Sequence, residues 1–511
     1  MNTRVFFSIL FSVVLLSRVH TQTGTKHTVS GYLKDLQTTE CLVGANVFNQ
    51  QTRTGASANR YGFYSITLPE GETLLQYSFV GYVPATVSFR LLRDTVINVS
   101  LSASLQLKEV TIASDRTAPI QEQTQMSVIR VPVAQVKSLP AFLGEADLLK
   151  TLQLLPGVQS GSEGRSGLFV RGVGPDQNLF LLDGVPVYSI SHLFGFFSVF
   201  NADAINHVEL YKGVSPARYG GRVSSVVDIA LKEGNMQMFH GEGSIGIIST
   251  KLTLEGPIWK DRTSFIISGR RTFADLLTRP AMSRINSGYH FNYYFYDLTA
   301  KINHRFSAND RIFLSAYLGD DVFGQEEKER YADEFCKEDF RYCSNLKWGN
   351  VTSSFRWNHV FGTRLFSNTT LTYNHYRYLS AKESRTELSR NIPPDTIVEK
   401  RYHYLEYLSK VSDLGMRLSF DYYPSPIHYI RFGGSATLHE YTPGAVSTQR
   451  DSAKVQTGAV IIHGAEYDMY VEDDITINSR LKMNIGLHWS GFKVDSKFYQ
   501  SVQPRISARS A

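Results

Sequence analysis

The sequence of 511 residues lacks most marks of a helical membrane protein or a nucleic-acid-binding protein. Beyond the N-terminal segment no run of about eighteen apolar residues occurs, so membrane-spanning helices are excluded. The net charge of +6 at pH 7 arises from scattered residues. A nucleic-acid partner requires clustered lysine and arginine, and none is expected here.

Motifs for catalysis, cofactors and metals are equally scarce. Gly241–Gly246 has the spacing of a dinucleotide fingerprint, yet the residues after it alternate like a strand and do not open a helix. His439 and Glu440 lack the second histidine of a zinc protease. We therefore expect no catalytic residue, no cofactor and no metal site, and the protein is not expected to be an enzyme.

Cysteine is rare as well. The chain has three, and Cys41 stands far from the other two. Cys336 and Cys343 have six residues between them in a polar segment. In an oxidising compartment they form either a loop disulfide or two free thiols, and the sequence leaves both readings open.

Aromatic residues and glycines are abundant: 12% of the chain is aromatic and 38 residues are Gly. These figures favour membrane β-strands, which alternate apolar and polar residues and keep a low average hydropathy. Residues 1–21 have the pattern of a secretory signal, with Arg4 before the apolar stretch Val5–Leu16. The mature protein is therefore expected to be exported.

Residues 27–105 contain short candidate strands separated by turn signals, which predicts an antiparallel sandwich. The candidates are Val29–Leu33, Val43–Phe48, Tyr61–Leu68, Leu74–Phe79, Thr86–Phe89 and Val96–Leu101. The segment resembles the carboxypeptidase-regulatory-like domain through Val29–Gly31, Leu42–Val47, Asn59–Tyr64 and Val80–Tyr82. That resemblance implies a transthyretin-like β-sandwich without catalysis of its own.

Residues 106–138 are polar and predict a linker, interrupted by the β-prone island Leu107–Ile112. Such an island can add as an edge strand to a partner's sheet. The alternative is that it forms the last strand of the preceding sandwich.

Residues 139–234 predict an α+β unit that opens with a short helix and continues with many glycines. One helix face carries Leu148, Leu149, Leu152 and Leu155. The segment resembles the plug of TonB-dependent receptors, on six motifs in order: Leu155–Val158, Phe169–Gly172, Leu181–Val187, Val208–Gly213, Ala217–Gly221 and Val226–Ile229. A regulatory-like domain before such a plug is typical of receptors from the Bacteroidetes.

Residues 235–511 show long alternating segments, clearest at Asp413–Asp421, and short connections that interleave with long polar ones such as the expected loop Asp320–Leu346. Both features are typical of an outer-membrane barrel. The aromatic clusters Tyr293–Tyr296 and Tyr422–Tyr423 fit interfacial girdles. We count roughly twelve strands where a plugged transporter has about 22, so the barrel is expected to be partial and the chain apparently truncated within it.

The fold class expected is thus mainly β: a transthyretin-like β-sandwich, an α+β plug and a partial antiparallel transmembrane β-barrel. The resemblance implies an outer-membrane receptor, with its N-terminal domain in the periplasm, that imports a nutrient such as a siderophore, vitamin, glycan or peptide. It also implies a TonB box, which binds the TonB C-terminal domain. We assign this box to Glu109, Val110, Thr111 and Ile112.

Further site residues follow from the plug's turns. Groups expected to meet the ligand are Pro175, Asp176, Gln177, Tyr188, His192 and Phe194. Groups expected to bridge plug and barrel are Arg171, Asp183, Glu209, Arg218 and Arg222. Outer-membrane lipid is an expected partner and a surface lipoprotein a further candidate, although the turn Val173–Asn178 is shorter than in receptors that pair with one. The alternatives are a non-transporting surface-binding or adhesion protein, or an inactive receptor fragment.

Overall fold

The computed structural model describes residues 25–104, 128–139, 144–161, 167–213, 215–221, 224–273, 275–276, 280, 284, 288–333, 336–392, 395–451, 453–456, 459–478 and 481–510. Within these ranges no helix has the length and apolar character needed to cross a membrane.

The N-terminal unit is a sandwich of two four-stranded sheets, ordered β4-β1-β7, with β8 also on β1, and β3-β2-β5-β6. Its strands are β1 (Lys26–Asp35), β2 (Asn46–Asn49), β3 (Thr54–Ser57), β4 (Phe63–Pro69), β5 (Gly71–Ser78), β6 (Ala85–Leu91), β7 (Thr95–Val96) and β8 (Val99–Leu101). Alternate residues of β5, including Leu75 and Tyr77, point into the core. The buried Tyr64 hydroxyl is 3.0 Å from that of Tyr77 and donates to the Ile97 carbonyl, so burial leaves no polar group unpaired there.

The plug contains a five-stranded sheet, ordered β13-β12-β17-β16-β9, in which β12 and β17 are parallel. Its strands and helices are β9 (Val128–Pro132), α1 (Val133–Ser138), α2 (Leu148–Gln153), β10 (Val158–Gln159), β11 (Phe169–Val170), β12 (Asn178–Leu182), β13 (Val185–Pro186), β14 (Ser191–His192), β15 (Phe197–Ser198), β16 (Ile205–Lys212) and β17 (Ser225–Leu231). Single 3-10 turns lie at Pro175–Gln177, Leu193–Gly195 and Ala202–Ala204.

The start of the plug corrects the predicted linker boundary. Strand β9 pairs with β16 from Val128 to Pro132, so residues 128–138 belong to the plug and not to the linker. Their β-prone alternation was hidden in a polar stretch, and only the tertiary pairing reveals it. Helix α2 agrees with its prediction: Leu148, Leu149 and Leu152 are buried, and the Asp147 carboxylate accepts from the Lys150 amide at 3.1 Å as an N-cap.

In the part of the chain that the structure describes, the remaining strands form one antiparallel sheet of thirteen strands, with β18 and β30 at its two ends. They are β18 (His240–Ile245), β19 (Ser249–Trp259), β20 (Thr263–Thr272), β21 (Tyr289–Arg305), β22 (Asp310–Ala332), β23 (Cys336–Val360), β24 (Leu365–Ile392), β25 (Asp395–Tyr422), β26 (His428–Arg450), β27 (Ala453–Gln456), β28 (Ile462–Thr476), β29 (Leu481–Val494) and β30 (Lys497–Ser510). This is a partial barrel around the plug. Leu414 and Met416 point outward and are exposed, whereas Asp413 points inward and is buried.

One expectation about the long connections is wrong, and the structure favours one of the two open readings of the cysteines. The segment Asp320–Leu346, expected as a loop, is mostly paired sheet, because β22 and β23 stay in register out to Ala332 and Lys337. Cys336 and Cys343 both lie on β23, in register with Arg390 and Glu383 of β24. Seven residues of extended strand span about 23 Å, far beyond disulfide reach, and both thiols are free.

The sandwich lies against the end of the barrel that carries the short turns. The Phe63 ring stacks on Phe366 of the barrel at 5.5 Å, and Ser65 donates to the carbonyl of Thr363 at 2.6 Å. The Arg60 guanidinium reaches Asp228 in the plug, with 2.6 Å between Nη1 and Oδ2. Sandwich, plug and barrel therefore meet at one seam.

Candidate ligand site on the plug and the barrel wall

One plug segment leaves the plug sheet and follows the inner barrel wall. This apical loop, Val187–Phe197, contains β14 and the start of β15, which form a short hairpin. The turn between them places Phe194 at φ +53 and Gly195 at φ +101. Positive φ is rare for a bulky residue and costs of the order of 1 kcal/mol or more, so the surrounding contacts must hold Phe194 in place.

The loop is held to the barrel by a buried charged cluster around His192. Its Nδ1 lies 2.6 Å from Asp321 Oδ2 and its Nε2 lies 2.7 Å from Asp297 Oδ1. The imidazole also stacks on Phe295 at 4.1 Å. Burial by itself lowers the pKa of His192, but the two carboxylates outweigh it and raise that pKa to about 9. His192 is therefore a charged bridge between plug and barrel, not an exposed ligand group.

Aromatic side chains surround the tip of the loop. The Phe194 ring is half exposed and lies 5.2 Å from Trp348, 5.9 Å from Phe323 and 6.2 Å from Tyr293. Phe196 is also exposed beside it. Exposed aromatic rings of the loop beside aromatic side chains of the wall form the kind of surface that binds organic ligands.

A polar edge adjoins this aromatic tip. Tyr188 donates from its hydroxyl to Asp413 Oδ2 at 2.7 Å, and His439 Nδ1 lies 2.7 Å from Asp413 Oδ1. Glu466 lies 3.5 Å from the other ring nitrogen of His439. The site therefore offers hydrogen-bonding groups next to apolar rings.

The predicted ligand residues Pro175, Asp176 and Gln177 form a 3-10 turn directly before β12. Gln177 Nε2 donates to Asp176 Oδ2 at 2.8 Å. The β12–β13 hairpin returns the chain to this end of the strand, because the Val187 amide donates to the Phe180 carbonyl. The turn thus lies at the same end of β12 as Tyr188, while the contacts to the barrel wall are made by the apical loop.

Two of the predicted bridging residues reach the barrel. Asp183 Oδ2 lies 2.9 Å from Lys301 Nζ, and Arg218 Nη1 lies 2.6 Å from Glu472 Oε1. Burial raises the pKa of Asp183, but Lys301 and its other cationic and hydrogen-bonding partners outweigh burial and leave that pKa below its usual value.

The other predicted bridging residues differ. Glu209 is a correction: its carboxylate accepts from Arg130 Nε at 2.7 Å and from the Tyr211 hydroxyl, both within the plug. The Arg171 guanidinium packs over Gly213, also in the plug. Arg222 lies outside the described residues, as do the box residues Glu109, Val110, Thr111 and Ile112.

Sequence reasoning missed the barrel half of the site. Phe323, Trp348 and Asp321 carried no motif, and Tyr293–Tyr296 was assigned as a whole to a membrane girdle. In the structure Tyr293 and Phe295 point inward and are buried against the plug. Strand parity was the available signal, since alternate residues of one strand must face opposite sides.

Within the described ranges no group of three or more His, Cys, Asp or Glu side chains is arranged to hold a metal ion. The charged clusters of the lumen are neutralised by one another: His192 and Arg270 both contact Asp297.

Two family models match the chain where the fold changes. The CarboxypepD_reg-like domain matches residues 29–112, and the TonB-dependent receptor plug domain matches residues 121–227. A plug inside an antiparallel sheet of this kind defines a class of outer-membrane proteins.

Individual relatives are similar to this chain over less than half of its length. The chain is 27% identical over 238 residues to TonB-dependent receptor P39 of Formosa agariphila, covering 44% of this chain and 21% of that protein. It is 27% identical over 237 residues to the vitamin B12 transporter BtuB of Vibrio vulnificus, covering 44% and 36%. The chain thus spans well under half the length of these curated relatives.

Among solved structures, FpvA of Pseudomonas aeruginosa bound to a heterologous ferric pyoverdine superposes with a TM-score of 0.50 and 13% identity, covering 80% of this chain and 59% of that one. At this identity the likeness concerns the fold alone. Residues 121–227 thus match the plug domain of TonB-dependent receptors, residues 29–112 match a CarboxypepD_reg-like domain, and the chain is similar to TonB-dependent receptors.

Proposed function

We propose that this receptor imports a nutrient across the outer membrane, with energy supplied through contact with the TonB C-terminal domain. The observation that carries the proposal is how the plug is held. His192 with Asp297 and Asp321, and Asp183 with Lys301, join plug to barrel through charges. Water can replace charged contacts as a plug moves, whereas a dry apolar seam would gain nothing from hydration.

The proposed division of labour follows the chain. Residues 1–21 direct export, the sandwich at 27–105 lies in the periplasm, and the barrel at 235–511 spans the membrane. The plug, 128–234 after the correction above, closes the lumen. The intervening segment carries the box at Glu109–Ile112, and the N-terminal family match reaches residue 112. The last-strand reading of the island therefore remains the competing hypothesis.

The proposed ligand surface is the exposed tip of the apical loop, Tyr188 with Phe194 and Phe196, together with Trp348 and Phe323 of the wall. Aromatic rings beside carboxylates suit a siderophore, a vitamin, a glycan or a peptide. One relative is named as a vitamin B12 transporter and one structure holds a ferric pyoverdine. A binding panel therefore begins with cobalamins and ferric siderophores, and includes glycans with and without a surface lipoprotein.

The test separates binding from transport. Phe194→Ala with Trp348→Ala should weaken ligand binding at least tenfold, because each ring contributes packing of about 1 kcal/mol or more. Tyr402→Ala removes an aromatic ring from the strand extension outside the site and serves as the matched control. Equal binding by both variants would overturn the assignment of the site.

Energy coupling is tested in the same receptor by deleting Glu109–Ile112 or by Val110→Pro. Proline removes a backbone donor from a paired strand, so uptake should cease while surface binding persists. Uptake that continues after the deletion contradicts the box assignment. A receptor that binds its ligand but never accumulates it, with or without the deletion, would fit the alternative of a non-transporting surface protein.

A further inference from the structure

The outer face of the barrel changes from apolar to charged at one level on neighbouring strands. On β25 the outward residues Leu414 and Met416 are exposed and apolar, and Lys410 follows them towards the long hairpins. On β24 the outward Leu371 and Tyr373 are followed by Arg377. The next strand, β23, likewise presents Lys347 beyond its apolar outward residues. A row of cations therefore borders the apolar band.

The sheet register aligns Asp320, Arg377 and Lys410 in one row across the strands, and Lys347 lies two residues from that row on β23. Asp320 is opposite Gly349, Gly349 is opposite Arg377, and Arg377 is opposite Lys410. Gly349 is essential to the row, because a Cβ there would lie 2.3 Å from Asp320 Oδ1. Its missing side chain lets Arg377 reach across a whole strand.

Contacts with Asp320 hold the Arg377 side chain in place. Its Nη2 donates to Asp320 at 2.7 and 2.5 Å, and the Tyr296 hydroxyl donates to the same carboxylate at 2.7 Å. Both contacts use one guanidinium nitrogen, so Nη1 and Nε remain for another acceptor. Lys347 Nζ lies 3.5 Å from Asp320, and Lys410 has no carboxylate partner within the described part of the chain. Three cations thus face one anion.

The level of the row matches a lipid headgroup region. From Lys410 to Tyr422, β25 advances about 12 residues, which is about 40 Å along the strand and about 30 Å along the membrane normal at the usual tilt. That distance equals the thickness of the hydrocarbon core. The opposite border, near the short turns, instead carries exposed aromatic residues such as Trp357, Phe361 and Tyr422. On these strands the two borders therefore differ in the kind of side chain that they present.

We propose that Lys347, Arg377 and Lys410 bind the phosphate group of a glycolipid headgroup in the outer leaflet, with Asp320 positioning Arg377. Guanidinium nitrogens and ammonium groups are the usual protein partners of phosphate. The inference rests on the proposed function only for orientation, since it requires the long hairpins to face outward.

The test uses the full chain, purified in detergent and titrated with lipid A that carries both phosphates, with the same lipid after dephosphorylation, and with inorganic phosphate alone. The variant is Arg377→Gln with Lys410→Gln, which removes both positive charges and leaves an uncharged polar side chain at each position. The control is Lys400→Gln with Arg401→Gln, which removes two cations that pair with carboxylates on the distal strand extensions.

The phosphorylated lipid should bind to the wild type more tightly than the dephosphorylated form. Each lost cation near a lipid headgroup weakens binding about fivefold, so the double variant should bind about 25-fold more weakly and the control should not change. Arg377→Lys should restore part of the affinity, which separates charge from folding. Equal binding of both lipids, equal binding by variant and wild type, or inorganic phosphate that binds as tightly as the lipid would overturn the proposal. None of these results depends on nutrient binding or uptake.

Discussion

The seam between sandwich and plug contains an ion pair between Arg60 and Asp228. This pair allows a sharp prediction because its two side chains are buried to different extents. Arg60 donates to both oxygens of Asp228, at 2.6 Å from Nη1 and 2.8 Å from Nη2. The Asp228 side chain is fully buried, whereas the Arg60 side chain is 30% exposed. The Tyr219 hydroxyl is a further donor to Asp228, at 2.7 Å.

The two partners should therefore differ in cost when removed. Arg60→Ala leaves a buried carboxylate with Tyr219 as its remaining side-chain donor, which should destabilise docking of the sandwich by about 3–5 kcal/mol. Asp228→Ala leaves a guanidinium that can turn towards water, which should cost about 1–3 kcal/mol. The double variant should lie near the smaller value, because no charge is then left unpaired.

The measurement is a double-mutant cycle on the undocking of the sandwich. A fluorophore on the exposed Gln51 and another on the barrel turn Pro424–Ile427 report their separation over a urea series. Docking that weakens equally in both single variants, or by less than about 1 kcal/mol in Arg60→Ala, would refute the reasoning.

Three further outcomes are expected. Burial lowers the pKa of His192, but the two barrel carboxylates outweigh burial and raise that pKa to about 9. The protonated His192 therefore stabilises plug docking fully below about pH 6.5, and this stability is lost as the pH rises through 9. His192→Gln should flatten the pH dependence of plug release in urea, and an unchanged profile would contradict it. Burial, and after it the charge of Glu233, raise the pKa of Glu40 to about 7. Because the docked state holds this proton more tightly, docking of the sandwich should weaken as the pH rises from about 4.5 to 7, and Glu40→Gln should remove this pH dependence. Finally, Cys336 and Cys343 should both react with a thiol reagent in the unreduced, denatured protein, and protection of both would restore the disulfide reading.

Local patterns predicted much of the fold. Helix α2, the alternation of β25 and most strands of the sandwich follow from a leucine stripe, a period of two and turn residues, all of which are local patterns. Strand β3 was missed, and the candidate Val96–Leu101 is divided into β7 and β8. The predicted boundary at residue 139 was wrong because a five-residue strand such as Val128–Pro132, within a polar stretch, carries little signal until a partner such as β16 pairs with it.

The length of the hairpins was also beyond local reasoning. Strands β22 and β23 continue in polar sequence past the apolar band, because an antiparallel neighbour satisfies the backbone whatever the side chains are. The same extension separates Cys336 from Cys343, which the sequence alone left free to meet.

The candidate site likewise has features that the sequence predicted and features that only the tertiary structure shows. Sequence by itself determined that a plug and a barrel are present and which plug turns, around Tyr188 and Phe194, carry aromatic residues. Only the tertiary structure decided that His192 is buried between Asp297 and Asp321, residues more than one hundred positions away. The physical reason is that contacts between plug and barrel depend on sheet register and strand parity, which are set by pairing across the whole barrel and not by adjacent residues.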